Sequence, residues 1–280
     1  MAKFSHSSKE LYQTCPYKWH LHYQKKYRSV RVGSALAFGN SFDLALNELL
    51  LTRDILKATE VFLASWAEWK NKPLIDYYKS DLDISLCSAW ELEEAKSSEH
   101  LLGYYTLLNK GLRMLAAYDA EVLPEIKNVI SVQSEFEIAI PSTEDTVGGK
   151  LDLIAELGDG KTYILDNKTT SKPYPKNSCQ TKPQTALYAL GLPEYENRVG
   201  FLTVDKKTFK TQILTGVAPK ELQETVMSDF KNLSESVGQN QFDKDKKGCM
   251  AFGQKCIYYS HCWGQGFSED IYEEVKDVEL

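Results

Sequence analysis

One cysteine near the start of the chain, Cys15, and three near its end, Cys249, Cys256 and Cys262, constrain the fold more than any other feature. Cys15 lies in the segment Cys15-Pro16-Tyr17-Lys18-Trp19, at the end of a short amphipathic stretch, and the other three follow the spacing C-x6-C-x5-C. The first residues, Met1-Ala2-Lys3-Phe4-Ser5-His6, lack the apolar core of a secretory signal. Reducing compartments keep thiols free, so the set reads as metal or cluster ligands rather than disulfides. Four thiols at the two ends imply one structural site that closes almost the whole chain into a loop, and such a closure is costly to lose. Cys87 and Cys179 are left as ordinary small residues, His261 as a bystander, and Trp19 and Trp263 as apolar cover for the thiols.

A chain of 280 residues suits one large domain, or a core with an inserted helical part, and 42% hydrophobic residues is ordinary for a globular protein. No apolar run reaches the roughly 18 to 20 residues of a membrane span, so a cytoplasmic protein is expected. The net charge of −6 is concentrated at the end: residues 269–280 hold six acids and one lysine, a balance of −5, which leaves −1 for the rest. The body is close to neutral. Lys161, Lys168, Lys172, Lys176 and Lys182, then Lys206, Lys207 and Lys210, provide material for a positive groove, although such runs are more often solvated faces. Charge permits nucleic-acid binding without indicating it.

Helical spacing and capping signals run through the first part. Ser5 to Lys26 reads as a capped helix interrupted at Cys15-Pro16, and helices follow over Gly33 to Leu51, Asp54 to Lys70 and His100 to Ala120. After Pro124 the pattern alternates, predicting strands over Ile130 to Ile138, Val147 to Leu157 and Tyr163 to Thr169. A helix over Gln180 to Leu190, paired strands over Arg198 to Val204 and Phe209 to Leu214, and a helix over Pro219 to Val237 complete a mixed α/β core. The organisation is a helical region 1–125, a core 126–240, a cysteine segment 241–268 and an acidic tail 269–280, together forming one cooperative domain.

Gly158-Asp159-Gly160 marks a tight hairpin, because glycine takes the positive φ that a short loop demands. With the turn centred on Asp159, Asp152 lies opposite Asp166. Asp152, Asp166 and Lys168 then share one face, and Leu151, Leu153, Ala155, Leu157, Tyr163 and Leu165 line the other, apolar face. Two opposed carboxylates repel unless a cation lies between them. Hard oxygen ligands suit Mg²⁺ or Mn²⁺, with Lys168 placed to orient a water or to neutralise a phosphoryl group. Solvated edge aspartates with a lysine counter-charge are the alternative on these three residues alone. Gln184 and Tyr188 lie four apart, on one face of the following helix.

Gly149-Lys150-Leu151-Asp152, Asp166-Asn167-Lys168 and Gln184 to Tyr188 together resemble, in order and spacing, the motifs of the PD-(D/E)XK nuclease superfamily. The branch they resemble is the RecB-like one, with its CRISPR-associated exonucleases and phage-encoded relatives. The resemblance implies a restriction-endonuclease-like α/β fold, with a mixed central sheet flanked by helices, and metal-dependent hydrolysis of DNA. The branch carries a histidine in a Gly-x-x-x-His context near the N-terminus; here Gly39 is followed at that place by Asp43. Carried over residue by residue, Asp43, Asp152, Asp166 and the carbonyl of Asn167 go to the metal. Asp152, Asp166 and Lys168 go to catalysis, Gln184 and Tyr188 to substrate, and Glu135 to an auxiliary role. Iron–sulfur members place one cysteine before the core and three after it, so the resemblance implies a [4Fe–4S] cluster on Cys15, Cys249, Cys256 and Cys262; zinc is the alternative, since four thiolates serve either metal.

The expectation is therefore a DNA exonuclease acting on ends or single strands, in recombination, repair, phage DNA processing or CRISPR adaptation. Its protein partner would belong to recombination or CRISPR adaptation. A non-catalytic DNA-binding or adaptor module that kept the fold, and a zinc-stapled scaffold of unrelated function, are the competing expectations.

Overall fold

A computed structural model describes residues 1–30, 32–72, 76–77, 82–253, 255–264 and 272–275. The expected acidic tail lies outside the described residues apart from 272–275.

Capping chemistry sets the helical elements. Ser5 accepts the amide of Ser8 at 3.1 Å and starts α1 (His6–Thr14). Cys15 ends it and caps α2 (Pro16–Trp19), accepting the amide of Lys18 on its sulfur at 3.4 Å, with Pro16 in the first turn where its missing N–H costs nothing. A short strand β1 (Lys3–Phe4) precedes them and β2 (Tyr27–Ser29) follows. Next come α3 (Ser34–Thr52), α4 (Ile55–Ala67), capped by Asp54, then α5 (Ala89–Glu94) and α6 (Glu99–Glu121), capped by Ser98.

The core strands are β3 (Ile126–Ala139), β4 (Thr146–Leu157) and β5 (Thr162–Thr170). Pro183 splits the expected single helix after them into α7 (Ser178–Thr181) and α8 (Pro183–Gly191). The strands β6 (Arg198–Asp205) and β7 (Thr211–Val217), the helices α9 (Lys220–Gly238) and α10 (Tyr259–Trp263), and β8 (Tyr272–Glu274) complete the chain. Among the described residues, no helix is long and apolar enough to cross a membrane.

The sheet is mixed, as expected. β4 is antiparallel to β3 and β5, β5 is parallel to β6, and β6 is antiparallel to β7. β3 occupies one edge of β4 along its length. The other edge is shared, with β1 at Thr146 and Val147 and β5 from Leu153 to Glu156. Between them, Gly148 to Asp152 have no strand partner on that edge among the described residues. The sheet opens there.

Helices cover both faces. On one, α3, α4 and α6 bring Phe42, Phe62, Trp66 and Tyr118 against Leu153, Tyr163, Leu165 and Leu202. On the other, α1, α8 and α9 bring Leu187 and Phe230 against Ile154, Ile164 and Phe201. The single apolar face expected for the hairpin is thus corrected, since Ile154 and Ile164 on the carboxylate side are buried as well. Leu151 also departs from expectation and joins the second core. The cause lies opposite Asp152: Gln133 takes a left-handed φ of 58° in the middle of β3, and both strands exchange faces across that point. Val132 and Leu153 pack on the first core, and Phe136 and Leu151 on the second.

In the first core Gly111 of α6 lies under Phe62, so that a Cβ there would come within 2.0 Å of the Phe62 ring. Gly111→Ala is expected to destabilise by about 1–3 kcal/mol, overpacking outweighing the helix preference of about 1 kcal/mol for alanine. Urea denaturation measures it.

Candidate active site

The hairpin register follows the turn. Gly160 has φ 75°, the amide of Leu157 donates to the carbonyl of Lys161 at 3.0 Å, and the pairs run from Glu156↔Thr162 to Leu153↔Leu165. Asp152 and Asp166 stand one step beyond the last pair, where the strands part. There the Asp152 carboxylate accepts the amide of Asn167 at 2.8 Å.

Asp166 is 1% exposed. Its Oδ1 accepts from Gln184 Nε2 at 3.0 Å and from the Tyr188 hydroxyl at 2.8 Å, and Gln184 also donates to that hydroxyl at 2.6 Å. Gln184 and Tyr188, expected toward substrate, are turned in on Asp166. Lys168 Nζ lies 2.7 Å from Asp166 Oδ2 as an ion pair, and that oxygen has no directional hydrogen bond. Asp43, on α3, accepts from Asn47 Nδ2 and Gln133 Nε2, both at 3.3 Å.

Burial and the neighbouring charge of Asp166 push the Asp152 carboxyl up to about 7, against the pull of Lys168 and the Asn167 amide, and Asp43 adds to the rise. Burial raises Asp43 as well, with Asn47 and Lys150 opposing and Asp166 adding. Burial pulls the Lys168 ammonium down, but Asp166 and then Asp152 more than reverse this, and it stays protonated. Asp43, Asp152, Asp166 and Lys168 therefore form one electrostatic neighbourhood. Glu135 is exposed on β3 opposite Lys150, beside a small crevice bordered by Lys3 and Gly149.

Sequence reasoning missed four neighbours. Asn47 lies four residues after Asp43 on the same helix face, a spacing that could have flagged it. Gln133 sits in a strand pattern that gives no sign of its left-handed backbone, a conformation that concentrates at functional sites. Tyr118 donates its hydroxyl from α6 to Asn167 Oδ1 on β5 at 2.8 Å. His6 feels the charges of Lys168 and Asp166, and its Nδ1 is buried without a hydrogen-bond partner among the described residues.

The arrangement fits a hard divalent cation: every donor is an oxygen, and the repulsion that raises Asp152 is what a cation would remove. Among the described residues, no three of His, Cys, Asp or Glu form a group that could hold a metal as they stand. The Lys168 ammonium is the cation now at Oδ2. The raised carboxyls carry a testable sign. The contribution of Asp152 to stability is present below the ordinary value of 3.8 and is lost as pH rises through about 7. In EDTA, melting temperature is expected to fall between pH 5 and 8, and Mn²⁺ to raise it more at pH 8 than at pH 5, read by differential scanning fluorimetry.

All six cysteines are free, among them the four toward the chain ends, Cys15, Cys249, Cys256 and Cys262. Burial raises Cys262 to about 11, with Lys244 opposing and Cys256, Cys15 and Cys249 adding, so the four expected thiols are neighbours. Trp263 Nε1 donates to Cys249 Sγ at 3.3 Å, whereas Trp19 belongs to the second core, donating to Ser8 Oγ at 2.7 Å, which corrects its expected place. β2 and β8 pair antiparallel, and Tyr258 donates its hydroxyl to the carbonyl of Tyr27 at 2.6 Å, so the two ends meet here.

Comparison with known proteins bears on the fold and the family. A crystal structure described as "Putative exonuclease" from Eubacterium rectale aligns with a TM-score of 0.54 at 10% identity, covering 89% of this chain and 85% of its own, a likeness of fold. A second solved structure, SSO0001, covers 41% of this chain and 52% of its own at a TM-score of 0.29 and 15% identity, and carries no argument. No curated protein matches. The sequence profile of the PD-(D/E)XK nuclease superfamily matches residues 3–262, and the chain belongs to that superfamily.

Proposed function

We propose that the protein is a metal-dependent DNA exonuclease of the RecB-like branch, acting on DNA ends or single strands. The observation that carries the reading is the meeting of Asp152, Asp166 and Lys168, with Asp43 beside them, where β4 loses its strand neighbour. Bound Mg²⁺ or Mn²⁺ would supply Lewis acidity and a water acidic enough to attack near neutral pH, held by Asp43, Asp152, Asp166 and the Asn167 carbonyl. Gln184 and Tyr188 fix the Asp166 carboxylate through Oδ1 and leave Oδ2 for the cation. Lys168, its side chain 33% exposed, presents a positive charge toward a developing phosphoryl oxyanion.

Cys15, Cys249, Cys256 and Cys262 hold a [4Fe–4S] cluster in this proposal, with zinc as the other occupant. A cytoplasmic place in recombination, repair, phage DNA processing or CRISPR adaptation, with a partner from those processes, belongs to the same proposal. Purified protein with Mn²⁺ is expected to shorten linear DNA and spare closed circles. Equal cutting of both would overturn the exonuclease reading, and no cutting of either would overturn the nuclease reading.

A further inference from the structure

α3 presents Gly39, Phe42, Asp43 and Leu46 along one face, at helical spacing, to a half-open cavity of about 150 Å³. Leu202 and Val204 of β6 and Tyr118 of α6 complete its apolar walls, while Asp43 and Lys168 place it directly against the catalytic carboxylates. Asn167 also lines it. The Tyr118 hydroxyl occupies the Oδ1 of that amide, and its Nδ2 is buried without a hydrogen-bond partner among the described residues.

Gly39 is the informative residue. A glycine inside a helix costs about 1 kcal/mol relative to alanine, and a close packing neighbour is the usual reason for one. Here a Cβ would meet nothing within 4 Å, in contrast to Gly111, where Phe62 stands in the way. The missing side chain thus keeps space open rather than relieving a clash. Near the same end of the helix, Lys206 Nζ lies 5.5 Å from the Phe38 ring centre, a cation suited to a polyanion.

Resting on the nuclease reading above, we propose that this cavity receives one unstacked nucleobase of a single strand, next to the phosphodiester presented to Lys168. A planar ring slides between the Phe42 and Leu202 sides, and a ring carbonyl satisfies Asn167 Nδ2. A paired base cannot enter, because its edge is taken by its partner, so the cavity selects single strands and frayed ends.

The test is a binding scan on the Lys168→Ala background, which gives an answer even for a chain that does not cut. Single-stranded oligonucleotides carrying one abasic nucleotide at successive positions are titrated by fluorescence anisotropy, with and without Gly39→Leu. The expected result is one position at which loss of the base weakens binding about fivefold or more, a penalty that Gly39→Leu abolishes while itself weakening the intact strand by a similar factor. Thermal melting at or above that of the background protein shows that the leucine is accommodated. If leucine unfolds the chain, Gly39→Ala, which adds one methyl to the same space, is expected to reduce the penalty at the same position. A flat scan, or a penalty unchanged by the substitution, overturns the proposal. Absence of hydrolysis by the wild type with Mn²⁺ would remove the nuclease reading and leave the scan readable.

Discussion

Lys168→Ala is expected to lower Mn²⁺-dependent digestion of linear DNA by at least about a hundredfold, the scale seen when one preorganised donor to a developing oxyanion is removed. The argument starts from burial. Asp166 is 1% exposed, its Oδ1 is held by Gln184 and Tyr188, and its Oδ2 meets the Lys168 ammonium at 2.7 Å. The ammonium is held protonated by Asp166 and Asp152, so it serves as a fixed charge rather than as a base. Removing it leaves Asp166 unpaired in the metal-free protein, where it takes up a proton or destabilises the fold by a few kcal/mol. Melting curves recorded in Mn²⁺, where a cation can meet the same carboxylate, separate the two effects. Melting close to the parent combined with lost cutting supports the assignment. A variant that cuts as the parent does sinks it.

Lys168→Arg sharpens the point. A guanidinium keeps the charge but presents a broad planar fork in place of a compact ammonium, so partial recovery would measure charge alone.

The hairpin was legible because strand periodicity is rigid. Once Gly160 sets the turn, register alone places Asp152 across from Asp166, and the observed pairs keep that register up to Leu153↔Leu165. The first helix was legible from its Ser5 cap and the later ones from apolar spacing, while the Asp54 and Ser98 caps, which also supply side-chain oxygens to orphan amides, were not read. What the sequence hid was whatever depends on departures from period. Gln133 reverses the facing of β3 and β4 through a left-handed φ that a strand-forming run does not announce, and Leu151 consequently joins the second core. β1 and β2 were hidden for another reason, since strands of two and three residues carry too few side chains to show alternation. Asp43 was reached through its position relative to Gly39. Its support from Gln133, 90 residues away, is a tertiary contact that no local pattern encodes.

Cys15→Ser is the change expected to act most strongly on stability. Cys15 has two duties. Its sulfur caps α2 by accepting the Lys18 amide at 3.4 Å, and it sits among Cys249, Cys256 and Cys262 where the two ends of the chain meet. Serine is a good helix cap, so the substitution preserves the first duty and removes a soft thiolate ligand from the second. Burial and mutual charge keep the Cys256 and Cys262 thiols protonated near neutral pH in the absence of a metal, so uptake must release protons and is expected to tighten as pH rises. With a cluster or zinc in place, folding and binding share one free energy, and losing a ligand is expected to lower the melting temperature by roughly 10 °C or more in a chain of this size. Metal analysis of anaerobically purified parent and variant gives the second readout: a brown, iron-containing parent supports the cluster, and a colourless, zinc-containing one supports the other occupant. A parent with neither metal, melting together with Cys15→Ser, would leave the β2–β8 pair and the Tyr258 hydrogen bond to the Tyr27 carbonyl to join the ends, and the proposed metal staple would be wrong.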